Sequence, residues 1–281
     1  MTNGTAGPED RYAIFNGLRI HYLDWGTRGR RPLVLLHGIA RCAHNFDHLA
    51  PHFAQSYHVI SVDMRGHGDS GWHPEGAYLV EDYVQDVEAL MEDLGLRDIV
   101  LWGNSTGGRV AQMIAGLRPE LVAAVIVEDV GPERPATISN RRAGRMEKEA
   151  QGWATQDDLL AATKSDYPRT PEPVLRNFVA HASKRRDDGR IVWKRDPAIL
   201  KGFVPTELWD TVRKIEAPVI YILGGASTIV PAETQTQLKE TLPQAQIVTM
   251  PGLGHYPSDE QPAAFIGIAE AFLSTTRPAS S

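Results

Sequence analysis

Six apolar runs recur along the chain without the alternation of a half-buried strand. They are PLVLLHG (32–38), YHVISVD (57–63), DIVLWGNS (98–105), LVAAVIVED (121–129), PVIYILGG (218–225) and AQIVTM (245–250). Continuous apolar strands belong to parallel sheets covered on both faces. Helical patterns separate them. In LVEDYVQDVEALMEDLG, Val80, Val84, Val87, Met91 and Leu94 share one face and acids fill the other, with Gly95 as the stop. RVAQMIAGLRPE reads as a helix closed by Pro119, and PAAFIGIAEAFLS as the final helix. YAIFNG and LRIHYLDWG form an opening hairpin that turns at Asn16 and Gly17. The pattern predicts an α/β sheet with an antiparallel start.

The rhythm breaks between about Pro132 and Ala217. That stretch is charged and helix-biased (RRAGRMEKEAQ, SKRRDDGR) and carries Trp153, Tyr167, Phe178, Trp193, Phe203 and Trp209. We read residues 1–131 and 218–281 as the core, and 132–217 as a helical cap over the ligand end of the sheet. Its aromatics are expected to face a pocket, with Trp153 and Trp193 as candidate substrate contacts. The segment TTRPASS is expected to fray.

Composition narrows the function. A chain of 281 residues, 42% hydrophobic, easily buries one core. The net charge of −6 gives no reason to expect nucleic acid. No stretch approaches the roughly 18 apolar residues of a membrane span. The N-terminus lacks a secretory pattern, and the single Cys42 fits a reducing cytoplasm and a packed role. No phosphate-binding or dinucleotide-binding glycine motif follows a strand, so no nucleotide cofactor is implied.

LWGNSTGGRV places Ser105 between Gly103 and Gly107, where a strand gives way to a helix. A tight turn there exposes the hydroxyl, and the glycines let neighbouring backbone approach. A serine needs a base, a group to orient that base, and donors for the developing oxyanion. Thr106 offers its N–H at the helix start, where negative charge is favoured. His255, in MPGLGHYPSDEQP after the last strand, is the candidate base at the sheet's carboxyl edge.

His37-Gly38, DMRGHGDS (63–70), GNSTG (103–107) and Gly254-His255, in that order, resemble the α/β-hydrolase family from about residue 12 to 274. The resemblance implies a mostly parallel eight-stranded sheet with helices on both faces, and a serine–acid–histidine triad. It also implies an oxyanion hole built from the N–H groups of Ile39 and Thr106. His37 would position the oxyanion loop, and Asp63, Arg65, His67 and Asp69 would shape a turn beside the site. The family's commonest acid position, after the seventh strand, here reads GGASTIVP, with Ser227 where the carboxylate is expected. The family's other position is the end of the sixth strand, VEDVGPE, which assigns the acid to Asp129. Glu128 is the rival, although adjacent strand residues face opposite ways. Asp259 is expected to cap the final helix. The acid's placement resembles that of certain lactonases and amide hydrolases in the family, which transfers no substrate.

His44, His48 and His52 recur at metal-binding spacing, but Pro51 interrupts the helix and no third-ligand cluster is evident, so no metal is expected. Arg41, close to the oxyanion loop, is a candidate for a substrate carboxylate, with solvated surface charge as the plainer reading. The expected function is a cofactor-independent serine hydrolase of a small ester, lactone or amide, compatible with a homodimer. Carbon–carbon hydrolases of ring-cleavage products, hydroxynitrile lyases and low-turnover receptors on the same fold are the alternatives. Both acid-bearing loops should converge on His255. Introducing Ser227→Asp into an Asp129→Ala variant should therefore restore part of the lost turnover, as read by steady-state kinetics of the single and double variants.

Overall fold

The computed structural model describes residues 7–134, 149–201, 204 and 206–276. Eight strands form one sheet: β1 (Glu9–Phe15), β2 (Leu18–Asp24), β3 (Pro32–Leu36), β4 (His58–Asp63), β5 (Ile99–Asn104), β6 (Val122–Glu128), β7 (Val219–Gly224) and β8 (Gln246–Met250). Their order is β1-β2-β4-β3-β5-β6-β7-β8. β1 pairs antiparallel with β2, and β2 with β4; the remaining pairings are parallel. The apolar runs are continuous because both faces are covered. Ile99 and Leu101 of β5 join one core cluster, while Val100 and Trp102 join the other.

Helices α1 (Val80–Asp93) and α2 (Thr106–Leu117) pack on the first face, and α6 (Pro262–Ser274) on the second, where Phe265 stacks on Trp102 at 4.9 Å. Helix α5 (Ala232–Thr241) joins β7 to β8. Gly95 ends α1 at φ 63°, with the Leu96 N–H reaching back to the Met91 carbonyl, which closes the last turn.

The insertion contains α3 (Gln156–Asp166), α4 (Glu172–Ala182) and a ribbon pairing Ser183–Arg185 with Ile191–Trp193. It buries its own cluster, in which Leu159, Leu175, Phe178 and Trp193 pack together and against Cys42 of the core. At its base Glu133–Arg134 pairs with Thr206–Glu207. Trp209 departs from the expectation for the insertion's aromatics: it packs into the main core beneath the sheet. The helical reading of RRAGRMEKEAQ falls mostly outside the described residues, as do Phe203 and most of the TTRPASS tail. Among the described residues no helix is long and apolar enough to cross a membrane.

Asp63, at the end of β4, organises the turn that follows. Its carboxylate accepts from the N–H groups of Ala43 (2.6 Å) and Asp69 (2.9 Å), and pairs with Nδ1 of His21 at 2.7 Å. Burial alone would lower the His21 pKa, but the bond to Asp63 outweighs it and the net shift is upward. Burial pushes Asp63 up, and its bond with His21 reverses this, leaving a net lowering. The pair's contribution is thus present at about pH 5, between the unperturbed values of 3.8 and 6.5. It is lost as pH falls through the lowered Asp63 value, and again as pH rises through the raised His21 value. Asp63→Asn should cost about 3–5 kcal/mol at about pH 5, the usual penalty for breaking a buried pair. Urea unfolding across pH should show the gap between variant and parent narrowing on both sides.

Candidate active site

Strand β5 hands over to α2 through Ser105, whose backbone adopts φ 50° and ψ −116°. A serine pays strain to sit there, and such strain persists only where neighbours over-determine it. Its N–H donates to the Glu128 carbonyl (3.0 Å), and its own carbonyl accepts from Arg109 N–H (3.1 Å). The flanking glycines are required by close approach. A Cβ on Gly103 would lie 2.2 Å from the backbone of Gly107, and one on Gly107 would lie 2.1 Å from the Leu36 carbonyl. Thr106 opens α2, so its amide stands at the positive end of the helix beside Ser105.

Three loops from the carboxyl edge of the sheet meet at Asp129. This residue is 1% exposed and, like Ser105, has positive φ (46°). One carboxylate oxygen, Oδ1, accepts the Gly224 N–H at 2.9 Å. The other, Oδ2, accepts the Ser227 hydroxyl at 2.5 Å and lies 2.7 Å from Nδ1 of His255. The Ser227 oxygen in turn accepts the Ile229 N–H at 3.2 Å. With Oδ2 as acceptor, Nδ1 of His255 carries the proton and Nε2 keeps its lone pair. Asn104 donates to the His255 carbonyl at 3.4 Å, which seats this loop next to the turn at Ser105. Glu128 points to the opposite face. It accepts from Ser258 N–H (2.9 Å) and from Trp102 Nε1 (3.3 Å). Burial pushes its carboxyl up to about 8. The structure thus brings Asp129, and not Glu128, to His255.

The loop after β3 approaches from the other side. A Cβ on Gly38 would sit 2.6 Å from Asn104 Oδ1 and 3.2 Å from the Ser105 Cβ, so the Gly38 backbone lies against the serine turn. Two buried histidines hold this loop. His37 accepts the Met64 N–H at Nε2 (3.1 Å) and donates from Nδ1 to the Gly38 carbonyl (2.8 Å). His67 accepts the Ala40 N–H at Nε2 (3.0 Å) and donates from Nδ1 to the Arg65 carbonyl (2.9 Å). Burial lowers both pKa values, that of His67 to about 3. Both rings are therefore neutral, as their acceptor role at Nε2 demands.

The candidate substrate contacts fall elsewhere. Arg41 is not solvated surface charge; it lines a small cavity with Gly38, Asn104 and Tyr256. It is 3% exposed, ion-paired with Asp259 at 3.2 Å, and enclosed by the rings of Tyr256, Tyr167 and Phe178 at 4.0, 4.6 and 4.7 Å. Asp259 accordingly does not cap the final helix, whose N-cap is Gln261. Trp193 stacks on Phe178 at 5.1 Å, and Trp153 meets it edge-on at 5.9 Å, so both build the cap's interior. Residues 43–53 are two short helical turns and not one helix, so His44, His48 and His52 share no face. His44 instead gathers with Asp47 and His181 of α4 across the seam between core and cap. Its ring lies 3.6 Å from that of His181 at an interplanar angle of 20°. Imidazole lone pairs lie in the ring planes, so two stacked rings aim side by side and do not converge on one ion.

Arg109 is the residue that sequence reasoning missed. Fully buried on α2, it donates to the Pro132 carbonyl at 2.7 Å and reaches the Thr206 hydroxyl, tying both ends of the insertion to the helix that begins at Ser105. Its position four residues after Ser105, as the one charged residue in TGGRVAQMIAGL, was the available signal.

The two carboxyls separate by experiment. Asp129→Asn should lower turnover about ten-thousandfold with folding intact, because an amide cannot keep the imidazole in the same tautomer or stabilise its charge. Glu128→Gln should leave turnover within a few-fold. Because the folded pKa of Glu128 lies above its ordinary 4.5, the parent loses stability as pH rises from 4.5 towards about 8. Glu128→Gln should therefore gain on the parent across that window in chemical denaturation.

The alpha/beta hydrolase family model matches residues 33–268. The mouse sn-1-specific diacylglycerol lipase ABHD11 is 29% identical over 255 residues, covering 86% of this chain and 80% of its own. Esterase Rv0045c of Mycobacterium tuberculosis is 28% identical, covering 97% and 92%. Among solved structures, that of E-2-(acetamidomethylene)succinate hydrolase superposes with a TM-score of 0.88 at 23% identity, covering 95% of this chain and all of that one. The match over most of the chain, on the sheet described above, shows that the protein belongs to the alpha/beta hydrolase family.

Proposed function

We propose that this chain is a serine hydrolase of small carboxylic esters, lactones or amides that works without a cofactor. The observation that carries the reading is the 2.7 Å contact between Nδ1 of His255 and Asp129, on a loop seated by Asn104 beside the strained turn of Ser105. Ser105 attacks the carbonyl carbon while Nε2 of His255 takes its proton. Asp129 holds the imidazole and stabilises the charge it acquires. The N–H groups of Ile39 and Thr106 donate to the oxyanion as it forms. The proton then passes from His255 to the leaving group, and the same nitrogen activates water to release the acyl group from Ser105.

Relatives carrying the names diacylglycerol lipase, esterase and acetamidomethylene-succinate hydrolase span ester and amide bonds, which supports an acyl-transfer reaction without choosing its substrate. Arg41 is paired with Asp259, and Trp153 and Trp193 pack in the cap, so any part these three take in substrate selection acts from behind the groups nearest Ser105. The purified protein, incubated with pooled esters, lactones, amides and ring-cleavage diketones and followed by mass spectrometry, should consume one of the first three classes. Ser105→Ala should slow that loss by about a thousandfold or more. Consumption that persists in Ser105→Ala, or that is confined to the diketones, would overturn the proposal.

A further inference from the structure

Ala40, one residue beyond the proposed oxyanion donor Ile39, holds φ at 66° without being a glycine. Its conformation is imposed by contacts on every side. The Gly38 carbonyl accepts from His37 Nδ1 at 2.8 Å and from the Arg41 N–H at 3.1 Å. The Ala40 N–H goes to His67 at 3.0 Å. The Ala40 carbonyl accepts from Nη1 of Arg195 at 3.0 Å. Three consecutive peptide units are thereby fixed, two by the core and the third by a residue of the cap.

Arg195 is held for this contact. It is 7% exposed, its Nη2 pairs with Glu149, and its guanidinium lies 5.1 Å from the Trp193 ring centroid. Its neighbours dock on the turn after β4. Lys194 reaches Asp69 at 2.8 Å, Asp196 N–H donates to the Gly66 carbonyl at 2.8 Å, and Tyr78 donates to the Asp196 carboxylate at 2.6 Å. The backbones of His67 and Arg195 form a bridge. The two side chains that grip Ala40 are thus carried by segments paired with each other.

We propose that Arg195 is a positioning residue for the oxyanion hole, coupling the seating of the cap to the aim of the Ile39 N–H. Arg195 fixes the peptide between Ala40 and Arg41. The N–H of that peptide holds the Gly38 carbonyl, which belongs to the same rigid peptide unit as the Ile39 N–H. A loosened cap releases the first link, and the strained Ala40 relaxes with it. The role rests on the function proposed above.

The test uses the full chain with p-nitrophenyl butyrate as ester probe, and counts active sites by titration with a fluorophosphonate. In Arg195→Ala, kcat per titrated site should fall about ten- to a hundredfold, somewhat less than deleting an oxyanion donor, with KM within about twofold. Affinity for phenylboronic acid, whose serine adduct presents an anionic oxygen, should fall in parallel. The pH profile should not move, because His255 and Asp129 are untouched. Arg195→Lys should recover part of the loss, and it decides the matter by the same readouts if Arg195→Ala does not fold. Amide exchange over residues 38–41 should quicken in Arg195→Ala. A merely structural residue would reduce the number of titratable sites and leave kcat per site and boronate affinity unchanged; that result, or unaltered exchange over residues 38–41, overturns the proposal. Absence of Ser105-dependent hydrolysis in the parent protein overturns the function itself, and the role of Arg195 with it.

Discussion

A buried carboxylate at the end of β6 sets the arrangement of the loops around it. Asp129 is out of water, and an ion there is costly unless its lone pairs are met. They are met by a backbone amide at the end of β7, a hydroxyl from the loop after it, and an imidazole from the loop after β8. Satisfying the charge therefore draws three strand ends together. Ser227 stands where a carboxylate would leave two negative charges competing for one imidazole. As a hydroxyl it becomes a donor to the charge that moved to the neighbouring strand. The residue that marks the missing acid in the sequence is the one that accommodates its replacement.

The opposite wall of the site obeys a different constraint. His37 and His67 are buried and neutral, each taking a backbone N–H at Nε2. A protonated ring there would present a donor to a donor, so burial, which disfavours the charged form, also protects the loop's geometry. The pKa of His21, two strands away, is instead raised, because its bond to Asp63 outweighs burial. Three buried histidines thus shift in opposite directions, because one has a carboxylate in hydrogen-bond contact while the other two accept amides at Nε2.

Much of this was legible in the sequence, for identifiable reasons. Strand positions follow from apolar runs whose continuity is itself the consequence of two covered faces, and Gly95, Pro119 and the Asn16-Gly17 turn carry their boundaries locally. Ser105 and His255 could be singled out because strand ends put them on one edge of the sheet, and Asp129 because the family resemblance implies an acid at the end of the sixth strand. Arg41 could not be read correctly. A buried cation is stable only through its surroundings, and Asp259, Tyr256, Tyr167 and Phe178 lie more than a hundred positions away in sequence. Trp209 misled for the same reason. Composition assigned it to the cap, while its burial depends on contact with the underside of α2 and the sheet.

The cap has enough apolar side chains to form its own small core, and two buried arginines tie it to the main body. Arg109 ties its two ends to α2, and Arg195 ties its middle to the loop over Ser105. Both contacts put a buried guanidinium against main-chain carbonyls, a pairing that fixes direction as well as distance. Each arginine also bears on a residue under backbone strain: the Arg109 N–H holds the Ser105 carbonyl at φ 50°, and the Arg195 side chain holds Ala40 at φ 66°. Strained backbone relaxes unless held, and in Ala40 the hold is supplied in part by the cap. Under the function proposed above, a cap fastened by these two arginines would act on Ser105 through the backbone beneath it.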